Sequence, residues 1–293
     1  MGRVHIRDRV NKYQLGLYEK AMPKELSWEE KLKICKESGF DYLEMSIDET
    51  DEKLARLDYD QKQRKDLIDL MWKTGVRINS ICLSGHRKYP LGSHDEEIVK
   101  QGLQIMEKAI DLASDLGVRI IQLAGYDVYY ETGDQTTRER FRSNLKIACE
   151  LAALRGIYLG FETMETPFMD TVSKAMNFVR EMDSPYLGVY PDIGNLKNAS
   201  LLYHESVNRD LETGKGHIMA AHLKETLPGK YREIPFGEGH SEYVENIKML
   251  KKLGVFLFVG EFWYVGSSEW RNELIEANRF LREKLDQVFV LGE

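Results

Sequence analysis

The chain has 293 residues, of which 42% are hydrophobic and 30% are charged, and its formal net charge is −7. This length is within reach of one large α/β domain, which takes roughly 250 residues, so a second domain is not required. The acidic balance argues against a nucleic acid partner, because contact with a phosphate backbone needs a basic surface. A small phosphorylated ligand stays possible, since it needs only a local positive site.

The cysteines and the N-terminal residues indicate where the protein works. Cys35, Cys82 and Cys149 are odd in number and widely spaced, which disfavours a disulfide framework or a thiolate zinc site. We predict three buried, reduced thiols. Residues 1–12 are highly charged, and no apolar run approaches the ~20 residues that span a membrane. We therefore expect a cytoplasmic protein without a signal peptide or a membrane partner.

Short apolar segments alternate with longer amphipathic ones along the whole chain. Eight segments rich in Ile, Val, Leu, Tyr and Phe predict β-strands over residues 13–18, 41–46, 77–83, 118–124, 157–162, 186–191, 218–223 and 255–261. Helical periodicity predicts helices over residues 28–38, 51–74, 96–116, 137–155, 171–182 and 241–253. Five of these helices are followed directly by glycine, the residue most common just past a helix.

This alternation predicts a parallel sheet with right-handed helical crossovers. Eight units favour a closed (β/α)8 barrel over an open Rossmann-like sheet. The open sheet should carry a GxGxxG turn after its first strand, but residues 18–23 read YEKAMP. We therefore predict a single (β/α)8 TIM barrel over residues 1–293, with short extensions at residues 1–12 and 288–293.

Four consecutive predicted strands, the fifth to the eighth, end in Glu162, Asp192, His222 and Glu261. In a barrel these ends meet at one rim, where active sites lie. Three converging carboxylates must take up protons or bind a cation. Three oxygen ligands and one nitrogen suit Mn²⁺, Mg²⁺, Co²⁺ or Zn²⁺, so the pattern predicts one divalent metal ion. Taken singly, Asp192 is also compatible with a turn and His222 with a core histidine.

Five longer stretches carry a resemblance to a known family. They read LGLYEKA at 15–21, EMSIDET at 44–50, IIQLAGYDVYY at 120–130, YPDIGN at 190–195 and PFGEG at 235–239. The chain resembles the bacterial L-xylulose 5-phosphate (L-ribulose 5-phosphate) 3-epimerases of the xylose-isomerase-like barrel superfamily, over nearly its whole length. Two differences stand out. Residues 199–212 form a longer stretch than in these relatives, and Glu165, an alternative ligand to Glu162, replaces an Asp.

The resemblance implies a metal-dependent 3-epimerase of ascorbate or pentulose catabolism. It implies that Glu162, Asp192, His222 and Glu261 are the metal ligands and that the protein is a homodimer. Such an enzyme removes the C3 proton of a phosphorylated ketose on one face and returns it on the other, through a metal-stabilised enediolate. Glu162 and Glu261 would be the two bases; the sequence does not say which acts in which direction.

Substrate contacts are predicted at other strand ends. Asn195 and Lys224 follow Asp192 and His222 and would bond the sugar. The basic stretch 85–88, with His86 and Arg87, is the predicted phosphate contact. The stretch 237–239, whose glycines allow close backbone approach, is its rival.

Further candidates come from strands one, two and eight. Glu19 and Glu44 end strands one and two and would bond sugar hydroxyls or form ion pairs. Trp263 and Tyr264 would wall the pocket or pack in the core.

Three other functions compete with the epimerase. An aldose–ketose sugar-phosphate isomerase, of the hexulose-6-phosphate isomerase type, would use similar metal chemistry to move hydrogen between C1 and C2. A non-catalytic sugar-binding barrel is the second. The third is a nuclease that cuts DNA at abasic sites with three zinc ions, which seven histidines and the acidic charge disfavour.

Overall fold

The computed structural model describes residues 12–291 and contains eight parallel strands. They are β1 Gln14–Tyr18, β2 Tyr42–Ile47, β3 Arg77–Leu83, β4 Ile120–Ala124, β5 Tyr158–Glu162, β6 Leu187–Tyr190, β7 Ala221–Leu223 and β8 Leu257–Gly260. Each coincides with a predicted strand to within a few residues at either end.

The sheet closes on itself. Hydrogen-bonded neighbours run in the order β6-β5-β4-β3-β2-β1-β8-β7, and every pairing is parallel. Parallel bridges from Val189 to Ile218 and from Asp192 to His222 join the two ends of this order. The (β/α)8 barrel is therefore confirmed, and the Rossmann-like alternative is wrong, because an open sheet would leave these ends apart.

Ten α-helices occur in the described residues. They are α1 Trp28–Glu37, α2 Asp51–Leu54, α3 Gln61–Thr74, α4 Glu96–Leu116, α5 Gln135–Arg155, α6 Val172–Met182, α7 Ile193–Tyr203, α8 Val207–Thr213, α9 Tyr243–Lys252 and α10 Trp270–Phe289. Our prediction of one helix over residues 51–74 was wrong, because the side chain of Asp60 accepts a hydrogen bond from the Gln63 backbone and starts a new helix there. Helices α7, α8 and α10 were not predicted.

Side chains alternate between the two surfaces of the barrel wall. In β2, Leu43 and Met45 pack in the main core between sheet and helices, whereas Tyr42 packs in a separate cluster with residues of β1, β3 and β8. The helices end as predicted: Gly75 and Gly117 follow α3 and α4 with φ of 72° and 73°, which a side chain would strain. The apolar outer surface of the sheet therefore supports the barrel, and its interior is free to carry polar groups.

Other predictions about the chain ends and the thiols have these outcomes. All three cysteines are buried and free. Helix α10 continues to Phe289, and Val288 and Phe289 are buried, so the predicted extension at 288–293 begins inside this helix. The predicted extension at 1–12 lies almost wholly outside the described residues. Within residues 12–291, no helix is both long and apolar enough to cross a membrane.

Candidate active site

The structure brings together the four residues predicted as metal ligands. Glu162 is the last residue of β5, Asp192 and Glu261 come just after β6 and β8, and His222 lies in β7. All four are buried, and one possible ligand atom from each lies within 4.8 Å of the others. The Nδ1 atom of His222 is 3.2 Å from Glu162 Oε1 and 3.6 Å from Glu261 Oε2. We call this set the carboxylate cluster.

Lys224, just after β7, and Gln122 of β4 contact the carboxylate cluster. The Nζ atom of Lys224 lies 2.7 Å from Asp192 Oδ2 and 3.2 Å from Glu261 Oε2. The single ammonium group therefore forms ion pairs with two carboxylates at once. The side-chain amide of Gln122 donates to Glu162. Lys224 is thus buried beside the carboxylates and does not lie on the surface.

Burial and mutual repulsion set the proton affinity of the carboxylate cluster. Burial, followed by the charge of Glu261, raises the pKa of Glu162. Burial also raises the pKa of Asp192 to about 7, against the opposing effect of Lys224. Burial acts on Glu261 as well, but Lys224 and His222 together bring its pKa well below the usual range. The carboxylates therefore differ in their affinity for protons, as an acid and a base in one site must.

The donor set fits a divalent cation. Asp192 Oδ2 and Glu261 Oε2 are buried without a hydrogen bond and share one lysine between them, so the three carboxylates are short of positive charge. Three carboxylates and one imidazole match Mn²⁺, Mg²⁺, Co²⁺ or Zn²⁺. Glu165, the alternative ligand, lies outside the carboxylate cluster, where it accepts a hydrogen bond from the Tyr126 hydroxyl at 3.0 Å.

Two cavities open at this rim of the barrel. A narrow one of about 50 Å³ contains both Glu162 and Glu261 and extends past Tyr18 and Trp263. A larger one of about 730 Å³ lies to the side, contacts Glu261 but not Glu162, and has Phe236 in its wall. The predicted two-base chemistry would need both glutamates, so we take the narrow cavity as the candidate reaction pocket and call it the reaction pocket below.

Three of the predicted substrate contacts line the reaction pocket, namely Arg87, Asn195 and Lys224. The guanidinium of Arg87 stacks 4.8 Å from the ring centre of Tyr129, and its Nε has no hydrogen-bond partner. Asn195 donates to the Thr163 carbonyl at 2.8 Å, and its own Oδ1 has no partner. Both residues thus keep a polar atom free for a ligand.

Glu19 and His86 do not reach the reaction pocket. Glu19 is buried among Lys31, Lys53 and Arg56, all within 2.7 Å. The ring of His86 contacts the Gly102 carbonyl at 3.0 Å, and burial lowers its pKa to about 4. These placements do not support the predicted sugar and phosphate contacts, because the polar atoms are already used within the fold.

Glu44 and the glycines of 237–239 also have protein partners. The carboxylate of Glu44 is wholly buried beside His222. The backbone N–H of Gly237 donates to Glu225 at 3.0 Å, so this loop is organised around a side chain of its own. Trp263 lines the reaction pocket, whereas the ring of Tyr264 packs against Trp270 at 6.3 Å.

Among the residues that line the reaction pocket, sequence reasoning did not single out Lys20, Tyr231 and Arg232, whereas Glu165, which also lines it, was expected only as an alternative ligand. Tyr231 and Arg232 belong to the loop between β7 and α9, well beyond the strand end. The length of that loop was the available signal, since active sites in barrels are built from the loops after the strands.

Comparison with known proteins agrees with this architecture. Residues 32–284 match the family model described as Xylose isomerase-like TIM barrel. The chain belongs to this family. It is 42% identical over 272 residues to the L-ribulose-5-phosphate 3-epimerase UlaE of Shigella sonnei (strain Ss046), which covers 92% of this chain and 94% of that protein. Like that relative, this family member is an isomerase of the epimerase class.

Solved structures share the fold at low sequence identity. A D-tagatose 3-epimerase-like protein superposes with a TM-score of 0.76 at 20% identity, covering 94% of this chain and 98% of the other. A xylose isomerase-like TIM barrel protein from Mycobacterium smegmatis, in complex with magnesium, superposes with a TM-score of 0.70 at 17% identity, covering 96% and 99%. These similarities show the shared barrel.

Proposed function

We propose that this protein interconverts L-xylulose 5-phosphate and L-ribulose 5-phosphate by metal-dependent epimerisation at C3. One observation carries the proposal: two buried glutamates, Glu162 from β5 and Glu261 after β8, enter one pocket from different strands. The relative with 42% identity, named for this activity, supports the choice of substrate. Glu162, Asp192, His222 and Glu261 would hold the cation.

Epimerisation at C3 moves one proton and changes no oxidation state. One glutamate, ionised, takes the proton from C3, and the C–H electron pair moves into the C2–C3 bond while the C2 carbonyl becomes an oxyanion. The other glutamate, protonated, then gives its proton to the opposite face of C3. The surroundings of the two glutamates differ, since burial and Glu261 raise the pKa of Glu162 while Lys224 and His222 lower that of Glu261, and such a difference is typical of an acid–base pair.

The chain's other residues would orient the substrate and exclude water. When bound, the cation would polarise the C2 carbonyl as a Lewis acid. Tyr18 and Trp263 meet edge to face at 6.1 Å in the pocket wall and shield the reacting carbon from solvent. Lys224, buried beside Asp192 and Glu261, is placed to donate a hydrogen bond to a substrate oxygen.

The phosphate group would bind at the mouth of the reaction pocket. Lys20, Arg87 and Arg232 all line it, and guanidinium groups bind phosphate through paired hydrogen bonds. Arg87 is already held in place by its stacking on Tyr129. Because a phosphorylated sugar is charged and does not cross lipid readily, the enzyme would act in the cytoplasm, in pentulose or ascorbate breakdown. The homodimer stays a prediction.

Proton exchange in D₂O tests the reaction. Chelator-treated enzyme, reloaded with Mg²⁺, is incubated with L-xylulose 5-phosphate and followed by proton NMR. We expect loss of the C3 proton signal together with the appearance of L-ribulose 5-phosphate, and neither change before Mg²⁺ is added. Exchange at C1 would indicate the aldose–ketose isomerase instead. Absence of exchange at every carbon would contradict the proposal and favour a binding protein.

A further inference from the structure

Beneath the carboxylate cluster, the barrel interior holds a second set of polar contacts centred on Glu44. This side chain is wholly buried and lies outside both cavities at the rim. Its Oε1 is 2.7 Å from His222 Nε2. Its Oε2 accepts hydrogen bonds from the Ser80 hydroxyl at 2.6 Å and from the Tyr190 hydroxyl at 2.9 Å. Glu44 therefore contacts the cluster only through His222.

An irregularity in the sheet creates these contacts. The pairing of β2 with β3 shifts between Leu43 and Glu44, so that Leu43 faces Ile78 but Glu44 faces Ser80, and Asn79 is skipped. Bulges of this kind re-aim a side chain, often next to an active site. Here the shift places a hydroxyl donor beside Glu44. Tyr190 reaches the same oxygen from β6, and its ring packs edge to face on His222 at 4.9 Å.

The contacts of Glu44 select one form of the His222 ring. An ionised carboxylate only accepts hydrogen bonds, so Nε2 of His222 must carry a proton where it meets Glu44. Nδ1 meets the Glu162 carboxylate in the same way, so it too carries a proton in the metal-free protein, and a bound cation would take the place of that proton. Nδ1 is the atom facing Glu162 and Glu261, at 3.2 Å and 3.6 Å. The ring is thus oriented as a ligand whose Nδ1 points at the carboxylate cluster, while Glu44 keeps the proton on Nε2.

We propose that Glu44 is a positioning residue for metal binding: it holds His222 with Nε2 protonated and with the Nδ1 lone pair directed at the cation site. The inference rests on the proposed function, because it takes His222 as a ligand. It also replaces the predicted role of Glu44 as a sugar contact. A carboxylate that orients a metal-binding histidine in this way is worth about 10–100-fold in metal affinity.

A graded pair of variants tests the proposal through metal affinity. The dissociation constant of Co²⁺ is measured by competition with a chelator, together with the visible absorption of the bound ion. Glu44→Met keeps the bulk but cannot accept a hydrogen bond, and we expect affinity about 100-fold weaker than wild type. Glu44→Gln keeps an acceptor but loses the charge, and we expect about 10-fold. Both should also alter the Co²⁺ spectrum.

The matched controls are Ser80→Ala and Tyr190→Phe, each of which removes one donor to Glu44 and leaves its contact with His222. We expect only about a twofold change in Co²⁺ affinity for either. Thermal unfolding of every variant is measured without metal. A purely structural Glu44 would lower the melting temperature of the metal-free protein and leave the affinity of the folded fraction unchanged, which would overturn the proposal.

NMR of the wild-type protein gives a test that needs no Glu44 variant to fold. With ¹⁵N-labelled histidine, addition of Zn²⁺ should shift the Nδ1 resonance of His222 while Nε2 keeps its proton; the resonance is assigned by its loss in His222→Gln. Binding of Zn²⁺ through Nε2 would overturn the proposal. Wild-type protein that binds neither ion would refute the proposed metal site itself. Tight wild-type binding with both Glu44 variants within about twofold would refute the role of Glu44 alone.

Discussion

The barrel rim carries two buried acidic sites that could not be told apart from the sequence. They differ in the charged side chains that surround them. Glu19, just after β1, is a single carboxylate surrounded by Lys31, Lys53 and Arg56. The carboxylate cluster has three carboxylates beside one lysine and one histidine. Burial raises the pKa of Glu19, but its cations outweigh that effect and bring it well below the usual range.

The two sites also differ in whether every carboxylate oxygen accepts a hydrogen bond. Both oxygens of Glu19 accept hydrogen bonds, whereas Asp192 and Glu261 each keep a buried oxygen without one. A buried acid with excess cations is already neutralised and serves the fold. A buried acid with too few cations needs a proton or a metal ion to be stable. A carboxylate at a strand end thus becomes informative only once its partners are known.

Glu19→Gln should give the largest effect, and on stability alone. It leaves three buried cations without their counter-charge, which costs about 3–5 kcal/mol in the free energy of unfolding. Urea denaturation measures this, with Glu29→Gln, in an exposed ion pair with Lys33, as the control that should lose far less. The Co²⁺ affinity of folded Glu19→Gln should equal that of wild type. A weaker affinity would mean that Glu19 affects metal binding and would contradict the distinction between the two sites.

Glu261→Gln should show the opposite pattern. Loss of one of the two bases should lower kcat by at least ~10²-fold, the usual contribution of acid–base catalysis. The melting temperature of the metal-free protein should fall much less than in Glu19→Gln, because relief of the repulsion with Glu162 offsets part of the lost attraction to Lys224 and His222. Steady-state kinetics and thermal unfolding measure the two, with Glu233→Gln in the exposed loop as control. A rate near that of wild type would remove Glu261 from the mechanism.

Arg87→Ala should act on substrate binding. It removes a guanidinium from the pocket mouth, so KM for the phosphorylated ketose should rise by about 10-fold, the scale of one charge-assisted hydrogen bond, with a smaller change in kcat. The exposed neighbour Lys88 is outside the reaction pocket, and Lys88→Ala is the matched control. An unchanged KM for Arg87→Ala would move the phosphate site towards Arg232 and Lys20.

The smallest effect is expected at His94, an exposed ion-pair site. Its ring lies 3.0 Å from Asp134 Oδ2 and 3.1 Å from Glu131 Oε2, and these two carboxylates raise its pKa. A raised pKa in the folded state means that the stabilisation is complete below the unfolded value, about 6.5, and is lost as pH rises through the folded value. The melting temperature of wild type should therefore be slightly higher than that of His94→Gln at pH 6 but not at pH 9. Equal melting temperatures at both pH values would contradict this prediction.

The spacing of apolar residues and the glycines after the helices predicted much of the fold. The predicted strand ends identified the four residues of the carboxylate cluster. All eight strands occur where short apolar runs predicted them. The roles of Glu19 and Glu44 did not follow, because both were predicted at strand ends, whereas Glu44 lies inside β2. What separates them is contact with other elements: Glu44 contacts Tyr190 of β6, and Glu19 contacts Lys31 of α1. Such contacts depend on register, and the shift between Leu43 and Glu44 leaves no mark in composition.

The missed helix α7 shows a second limit. Asp192 suited both a turn and a metal ligand, and the structure gives it a third role. Its Oδ1 accepts the Asn195 backbone N–H at 2.9 Å and caps α7, while its Oδ2 faces Lys224 in the carboxylate cluster. An aspartate at this position is compatible with a turn, a helix cap and a metal ligand. The sequence alone could not show that Asp192 both caps α7 and belongs to the carboxylate cluster.

This shared use of Asp192 constrains any attempt to redesign the site. A library at position 192, screened for a new metal preference, would select first for the side chains that begin a helix, namely Asp, Asn, Ser and Thr. Substitutions outside that group would destabilise the start of α7 by about 0.5–2 kcal/mol, so their effect on stability would mix with any effect on the metal. Changes of metal are therefore better sought at Glu162, which caps no helix.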